Sequence, residues 1–170
     1  MGSGRGLQLI YAVVLAAGAS SRYGTSPPKQ VELLPRVLEA VGRSSVDGAL
    51  VVSGAHPLEV ESVFCPEWER GPGASLRCGL AALPEHAEAA VVVLADGPEL
   101  DPRAIDRIVG SWRAEGGDAV AAAYDGVRLH PVLLARAAWG LVPDEGARSI
   151  EARLVPCDDL TPPGDVDVRR

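Results

Sequence analysis

A loop of small residues carrying two cations is the stretch of this chain best suited to chemistry. Ala16-Ala17-Gly18-Ala19-Ser20-Ser21-Arg22-Tyr23-Gly24 is followed by Thr25-Ser26-Pro27-Pro28-Lys29-Gln30. Small residues let the backbone turn tightly and aim successive N–H groups outward, which makes an anion-binding concavity. Arg22 adds a planar fork and Lys29 a compact point charge, so the loop could neutralise a polyphosphate. Spacing alone leaves a second reading open, a Gly/Ser-rich turn whose Arg and Lys are merely solvated. The loop is neither GxxxxGK[ST] nor GxGxxG, which disfavours a P-loop NTPase and weakens a dinucleotide-binding reading.

The other candidates are scattered along the chain. Asp96 follows the apolar run AVVVLA and precedes Gly97-Pro98. A carboxylate there projects from a strand end and suits Mg²⁺, which binds through one or two carboxylates plus substrate phosphates. A turn or helix-cap aspartate is the alternative. Lys29 is the single Lys among 16 basic residues, the other 15 being Arg. A lone surviving Lys hints that its position wants an ammonium and not a fork. Cys65, Cys78 and Cys157 are odd in number and lack CxxC spacing, so they read as reduced thiols of a cytoplasmic protein.

The elements that position these residues follow from hydrophobic periodicity. Continuous β-branched runs predict strands buried on both faces at 9–15, 49–53 and 90–95, with further strands at 119–124, 132–134 and 153–157. Helical spacing predicts helices over 33–41, 58–63, 75–83, 102–112 and 144–152. The fourth of these has Pro102 in its first turn, Asp101 as N-cap, and Ile105, Ile108, Val109 and Trp112 facing inward. Alternating strands and helices imply an α/β domain with a mainly parallel sheet. Ligands of such sheets bind at the carboxyl ends of the strands.

Composition bounds the rest. The chain has 170 residues, 47% hydrophobic and 23% charged, which fits one globular domain over 1–170, with residues 1–8 expected outside its ordered part. Net charge of −7 argues against nucleic-acid binding. No apolar run is long enough for a membrane span.

The order of motifs resembles one family. LAAGASSRYG…PKQ looks like LAAGxSxRxG…K, the signature of MobA-like nucleotidyltransferases, which include the molybdenum cofactor cytidylyltransferases. CPEWERGPGASLRCGLAAL (65–83), VVVLADGPEL (91–100), GVRLHPVLL (126–134), DEGAR (144–148) and DVDV (165–168) resemble later family motifs in the same order, covering about 13–168. The resemblance implies a three-layer, Rossmann-like fold with a mainly parallel, mixed sheet. It implies Mg²⁺-dependent transfer of NMP, CMP from CTP, to a phosphorylated acceptor such as molybdopterin, with release of pyrophosphate. By resemblance Ala16, Ala17, Gly18, Ala19 and Ser20 cradle the triphosphate, Arg22 holds its outer phosphates, and Lys29 neutralises charge near the α-phosphate. Gly73 and Ser75 lie near nucleobase or ribose, with a helix N-cap as the other role for Ser75. Asp96 and Asp167 bind the metal, with Asp165 as the neighbouring candidate. Arg128 and His130 face the acceptor, although His130 also reads as a loop histidine bonding the backbone. Ala17 resembles the cytidylyl-transferring members. The expected state is a monomer or small homo-oligomer.

The chain departs from the pattern in five places. Two extra residues separate Gly24 from Lys29, and a Gly-Gly-x-P hairpin after Lys29 is missing. Gly97 replaces a larger residue, Leu129 replaces a Gly, and Arg169-Arg170 stand where Pro-Glu-Asp is common. Two of the changes, Gly97 and Leu129, lie on the acceptor side. They leave open a sugar or polyol phosphate as acceptor, and the missing hairpin leaves open a non-catalytic nucleotide-binding protein. Nothing in the sequence supports a flavin or nicotinamide site.

Overall fold

The computed structural model describes residues 8–18 and 29–164. Seven strands form one mixed sheet: β1 (Leu9–Ala16), β2 (Gly48–Ser53), β3 (Val63–Phe64), β4 (Ala87–Leu94), β5 (Ala119–Tyr124), β6 (Val127–Ala135) and β7 (Arg153–Pro156). Their order across the sheet is β3-β2-β1-β4-β6-β5-β7. Only β6 runs antiparallel to its neighbours; every other pairing is parallel. The amino end of β6 therefore lies at the same rim as the carboxyl ends of the other strands.

Alternation along the strands makes two cores. Ile10, Ala12, Val14, Val91, Val93 and Leu133 face α1 (Lys29–Gly42) and α3 (Pro102–Glu115). Val13, Val92, Val132 and Leu134 face α2 (Pro72–Ala82) and the short 3₁₀ turns that follow β6. The result is three layers, with β1, β4 and β5 largely buried on both faces as their unbroken apolar runs require. α3 starts as its sequence dictates: the Asp101 carboxylate accepts from the Arg103 N–H at 2.9 Å and Pro102 sits in the first turn.

The structure corrects several expectations. The expected helix at 58–63 does not form: 58–62 are irregular, because Val63 pairs with Val52 as an edge strand and the stretch before it is too short to sustain a helix. Residues 144–152 hold only a 3₁₀ turn at 147–149, because Gly146 turns the chain at φ 101°. β6 is three times the expected length. Asp125 and Gly126, both at positive φ, make the two-residue turn that joins it to β5. The cysteines are not all thiols. Cys65 and Cys78 form a disulfide tying the segment after β3 to α2, and Cys157 is free and buried. Cysteine usage thus no longer argues for a reducing compartment. Among the described residues no helix is long and apolar enough to cross a membrane.

Candidate active site

The ends of β1 and β4 are fastened side by side. The Ala95 N–H donates to the Leu15 carbonyl at 3.0 Å, and the Ala55 N–H donates to the Ala17 carbonyl at 3.0 Å. Ala16 and Ala17 are buried while Gly18 is exposed, so the chain comes to the surface where the small-residue loop begins. Ala19, Ser20 and Arg22 lie outside the described residues. The chain re-enters as the first residue of α1, which is Lys29, four residues earlier than periodicity suggested. Asp96 sits one residue past Ala95, in a turn closed by Gly97 N–H to Leu94 O at 3.2 Å and Leu100 N–H to Gly97 O at 3.2 Å. It is not a helix cap; Asp101 has that role.

Gly73 and Ser75 are both buried in the first turn of α2, whose N-cap is Gly71 at φ 131°. Ser75 therefore caps nothing; its own N–H donates to Gly71 O at 3.4 Å. Gly73 exists for close approach. Its N–H donates to Asp144 O at 2.9 Å, and a Cβ there would stand 1.6 Å from Pro143 O. The Asp144 carboxylate reaches the same helix, accepting from Arg77 Nη2 at 2.6 Å, while Arg77 Nη1 donates to Val142 O at 2.9 Å. The Arg77 hydrogen bond holds the Asp144 carboxyl below its ordinary pKa, with Arg70 adding to the effect.

His130 and Arg128 come from an irregular part of β6. Val132 pairs with Ala121 and Arg128 with Ala123, so β6 carries two more residues than β5 between those points. Such a bulge re-aims side chains. The His130 ring packs against Gly97, where a Cβ would meet ring atoms at 2.8 Å. Gly97 is thus small because His130 fills the space a larger residue would take. Arg128 lines the cleft described below and also bonds the protein: Nη1 donates to Ile150 O at 2.6 Å and Nη2 to Ala147 O at 2.9 Å. Burial lowers its pKa from the ordinary arginine value.

Arg128 and His130 line a cleft of about 470 Å³ between β4, β6, the 145–148 turn and residues 162–164, with Leu94 at the end of β4 in its wall two residues before Asp96. The final described segment runs beside the Asp96 turn. Glu99 N–H donates to Pro163 O at 2.8 Å, and the Gly164 carbonyl approaches Gly97. Asp165 and Asp167 follow outside the described residues. Among the described residues no group of three or more His, Cys, Asp or Glu is arranged to hold a metal ion. The carboxylate at Asp96 suits a hard cation that completes its shell with phosphate oxygens and water, as Mg²⁺ does. Sequence reasoning missed Glu145 and Arg148, which also line the cleft. The DEGAR stretch was the signal that could have found them, since its Gly turns both charged neighbours onto one rim.

Residues 12–156 match the MobA-like NTP transferase domain. The 2-C-methyl-D-erythritol 4-phosphate cytidylyltransferase of Stenotrophomonas maltophilia is 34% identical over 134 residues, which are 67% of this chain and 57% of that protein. The bifunctional protein GlmU of Mycolicibacterium gilvum is 32% identical over 127 residues, 62% of this chain. The chain spans 26% of GlmU. Among solved structures, Rv0371c from Mycobacterium tuberculosis H37Rv aligns with a TM-score of 0.77 at 26% identity, covering 95% of this chain and 94% of that one. Rv0371c in complex with manganese aligns with a TM-score of 0.68 at 24% identity, covering 91% of each chain. The seven-stranded mixed sheet with helices on both faces is the Rossmann-like fold of nucleotidyltransferases. With the motifs in order, the strand tips in register and the match running through nearly all of the sheet, the chain belongs to the MobA-like NTP transferase domain family.

Proposed function

We propose that this chain, acting as one domain over 1–170, transfers CMP from CTP to a phosphorylated small-molecule acceptor such as molybdopterin. The observation that carries the reading is the Ala95–Leu15 hydrogen bond, which sets the small-residue loop and the Asp96 turn on adjacent strand tips beside the cleft. An acceptor phosphate oxygen forms a bond to the α-phosphorus of CTP. The bond from that phosphorus to the bridging oxygen breaks, and pyrophosphate leaves with the electron pair. Catalysis of this kind is positioning and charge neutralisation.

The N–H groups from Ala16 to Ser20 cradle the triphosphate and Arg22 holds its outer end. Lys29 opens α1, where the helix dipole disfavours a cation by about 0.3–1 kcal/mol. The single Lys of the chain standing at this position supports an anion-binding role for it. Asp96, with Asp167, holds a divalent cation, Mg²⁺ by this reading, which when bound supplies neutralisation of the phosphates. The manganese complex of Rv0371c supports divalent-metal use. Gly73 and Ser75 support the base side through α2, and His130 borders the acceptor. The cytoplasm, where nucleoside triphosphates are held, is the expected compartment.

A polyol phosphate is the second reading for the acceptor, favoured by the 34% identity to the methylerythritol phosphate enzyme. The test is pyrophosphate release with CTP, Mg²⁺ and an acceptor panel. Asp96→Asn is expected to lower the rate by about 10²-fold or more while leaving the melting temperature near that of the parent. Undiminished turnover in the variant refutes the reading.

A further inference from the structure

Of the arginines in the described residues, ten are engaged. Arg36, Arg43, Arg70, Arg77, Arg103 and Arg107 pair with carboxylates. Arg113, Arg128 and Arg136 donate to carbonyls, and Arg153 donates to Ser111. Arg148 alone has no hydrogen-bond or ion-pair partner among the described residues, and it lines the 470 Å³ cleft. Arg148 is thus the described arginine whose charge is left open to a ligand in the cleft.

The turn that carries Arg148 is held from both sides. Arg128 donates to the carbonyls of Ala147 and Ile150, which flank it, and the Ile150 N–H donates to Ala147 O at 2.9 Å. One N–H of each terminal nitrogen of Arg128 is thus given to the protein, whereas the Arg148 guanidinium keeps all five of its donors. Much of the remaining wall is apolar, with Val92, Leu94 and Val132 from the sheet and Pro162 and Pro163, while His130 and Glu145 add polar groups. A polyol would set hydroxyls against the apolar part of the wall, and each one left unsatisfied there costs about 1–3 kcal/mol. Glu145, on the same rim, repels an anion from its own side and accepts from an N–H or O–H of the ligand.

We propose that Arg148 binds the anionic group of the acceptor, and that the acceptor's body is apolar or aromatic and not a polyol. This rests on the nucleotidyl-transfer reading for its place in the reaction, but the cleft binds such a ligand whether or not CTP is bound. The Arg148 guanidinium makes charge-assisted hydrogen bonds to a phosphomonoester, and the apolar walls take the ring.

The experiment is calorimetric titration of the full chain with phenyl phosphate and with glycerol 3-phosphate, alongside a separate titration with CTP and Mg²⁺. Phenyl phosphate is expected to bind more tightly than glycerol 3-phosphate. Arg148→Gln is expected to weaken phenyl phosphate about tenfold or more, Arg148→Lys less, and neither to change CTP binding. Phenyl phosphate binding that is absent in the parent, unchanged in Arg148→Gln, or no tighter than that of glycerol 3-phosphate overturns the proposal. Phenyl phosphate binding lost in Arg148→Gln, in a chain that does not bind CTP, upholds the Arg148 site and overturns the nucleotidyl-transfer reading instead.

Discussion

Gly73→Ala should be among the most damaging single-methyl additions in this chain. The new Cβ would stand 1.6 Å from Pro143 O, 2.6 Å from Pro143 C and 2.8 Å from Asp144 C, all backbone atoms that cannot swing aside as a side-chain tip can. To make room, the 143–144 backbone must lift from α2, breaking the 2.9 Å bond from Gly73 N–H to Asp144 O. Overpacking of this kind costs about 1–3 kcal/mol, and the lost hydrogen bond about 0.5–1.5 kcal/mol. The sum, about 2–4 kcal/mol, corresponds to a fall in melting temperature of roughly 5–15 °C for a domain of this size. Gly110→Ala is the matched control. It lies on the exposed face of α3 with nothing within 4 Å of the added methyl. There Ala gains about 1 kcal/mol of helix propensity, raising the melting temperature by roughly 2–4 °C. Thermal melts of both variants, followed by circular dichroism, carry the test. A Gly73→Ala melt within 1–2 °C of the parent would refute the reasoning, since the backbone would then be yielding without loss.

Two further outcomes are expected. Cys78→Ser removes a bond that closes a 13-residue sequence separation, and losing a loop of about that size costs about 3 kcal/mol in the chain-entropy account. Melts with and without a reductant should differ for the parent and coincide for the variant. Asp159 is held at about 2, below its ordinary 3.8, chiefly by the two-pronged bond from Arg107 at 2.6 and 2.7 Å. A depressed carboxyl contributes stability that is complete above its unfolded value and is lost as pH falls through the folded one. The parent should therefore lose melting temperature between about pH 4 and pH 2, and Asp159→Asn should lose less over the same window.

Much of the scaffold was legible because local and tertiary signals agreed. Residues 119–124 read as a strand and are one, and 102–112 read as most of α3, with cap, proline and apolar stripe all pointing the same way. Where they disagreed, the long-range partner won. Leu58 to Val63 has helical spacing, but an open edge at β2 offered Val63 ladder bonds that a helix of six residues could not match. The Asp125-Gly126 pair was a hairpin signal already present, and reading it would have extended β6 to Val127. The Cys65–Cys78 bond was not legible, since only the docking of α2 on the segment after β3 brings the two together. At the site, Asp96 fell where strand-end reasoning put it. Arg128 lines the cleft, and only the fold shows that its two amino nitrogens also donate to Ile150 and Ala147. Arg148 stood out only once the partners of the other described arginines were known.

The fastening of residues 142–150 has a consequence for how the cleft works. Val142 and Asp144 are tied to α2 through Arg77 and Gly73, and Ala147 and Ile150 to β6 through Arg128. Ordering a loop residue costs roughly 1–2 kcal/mol, and here that ordering is complete before a ligand arrives. The wall is preorganised, so a ligand that fits loses little binding energy to loop closure. The same stiffness makes the cleft intolerant: it selects by shape at first contact and cannot close around a ligand that is too small.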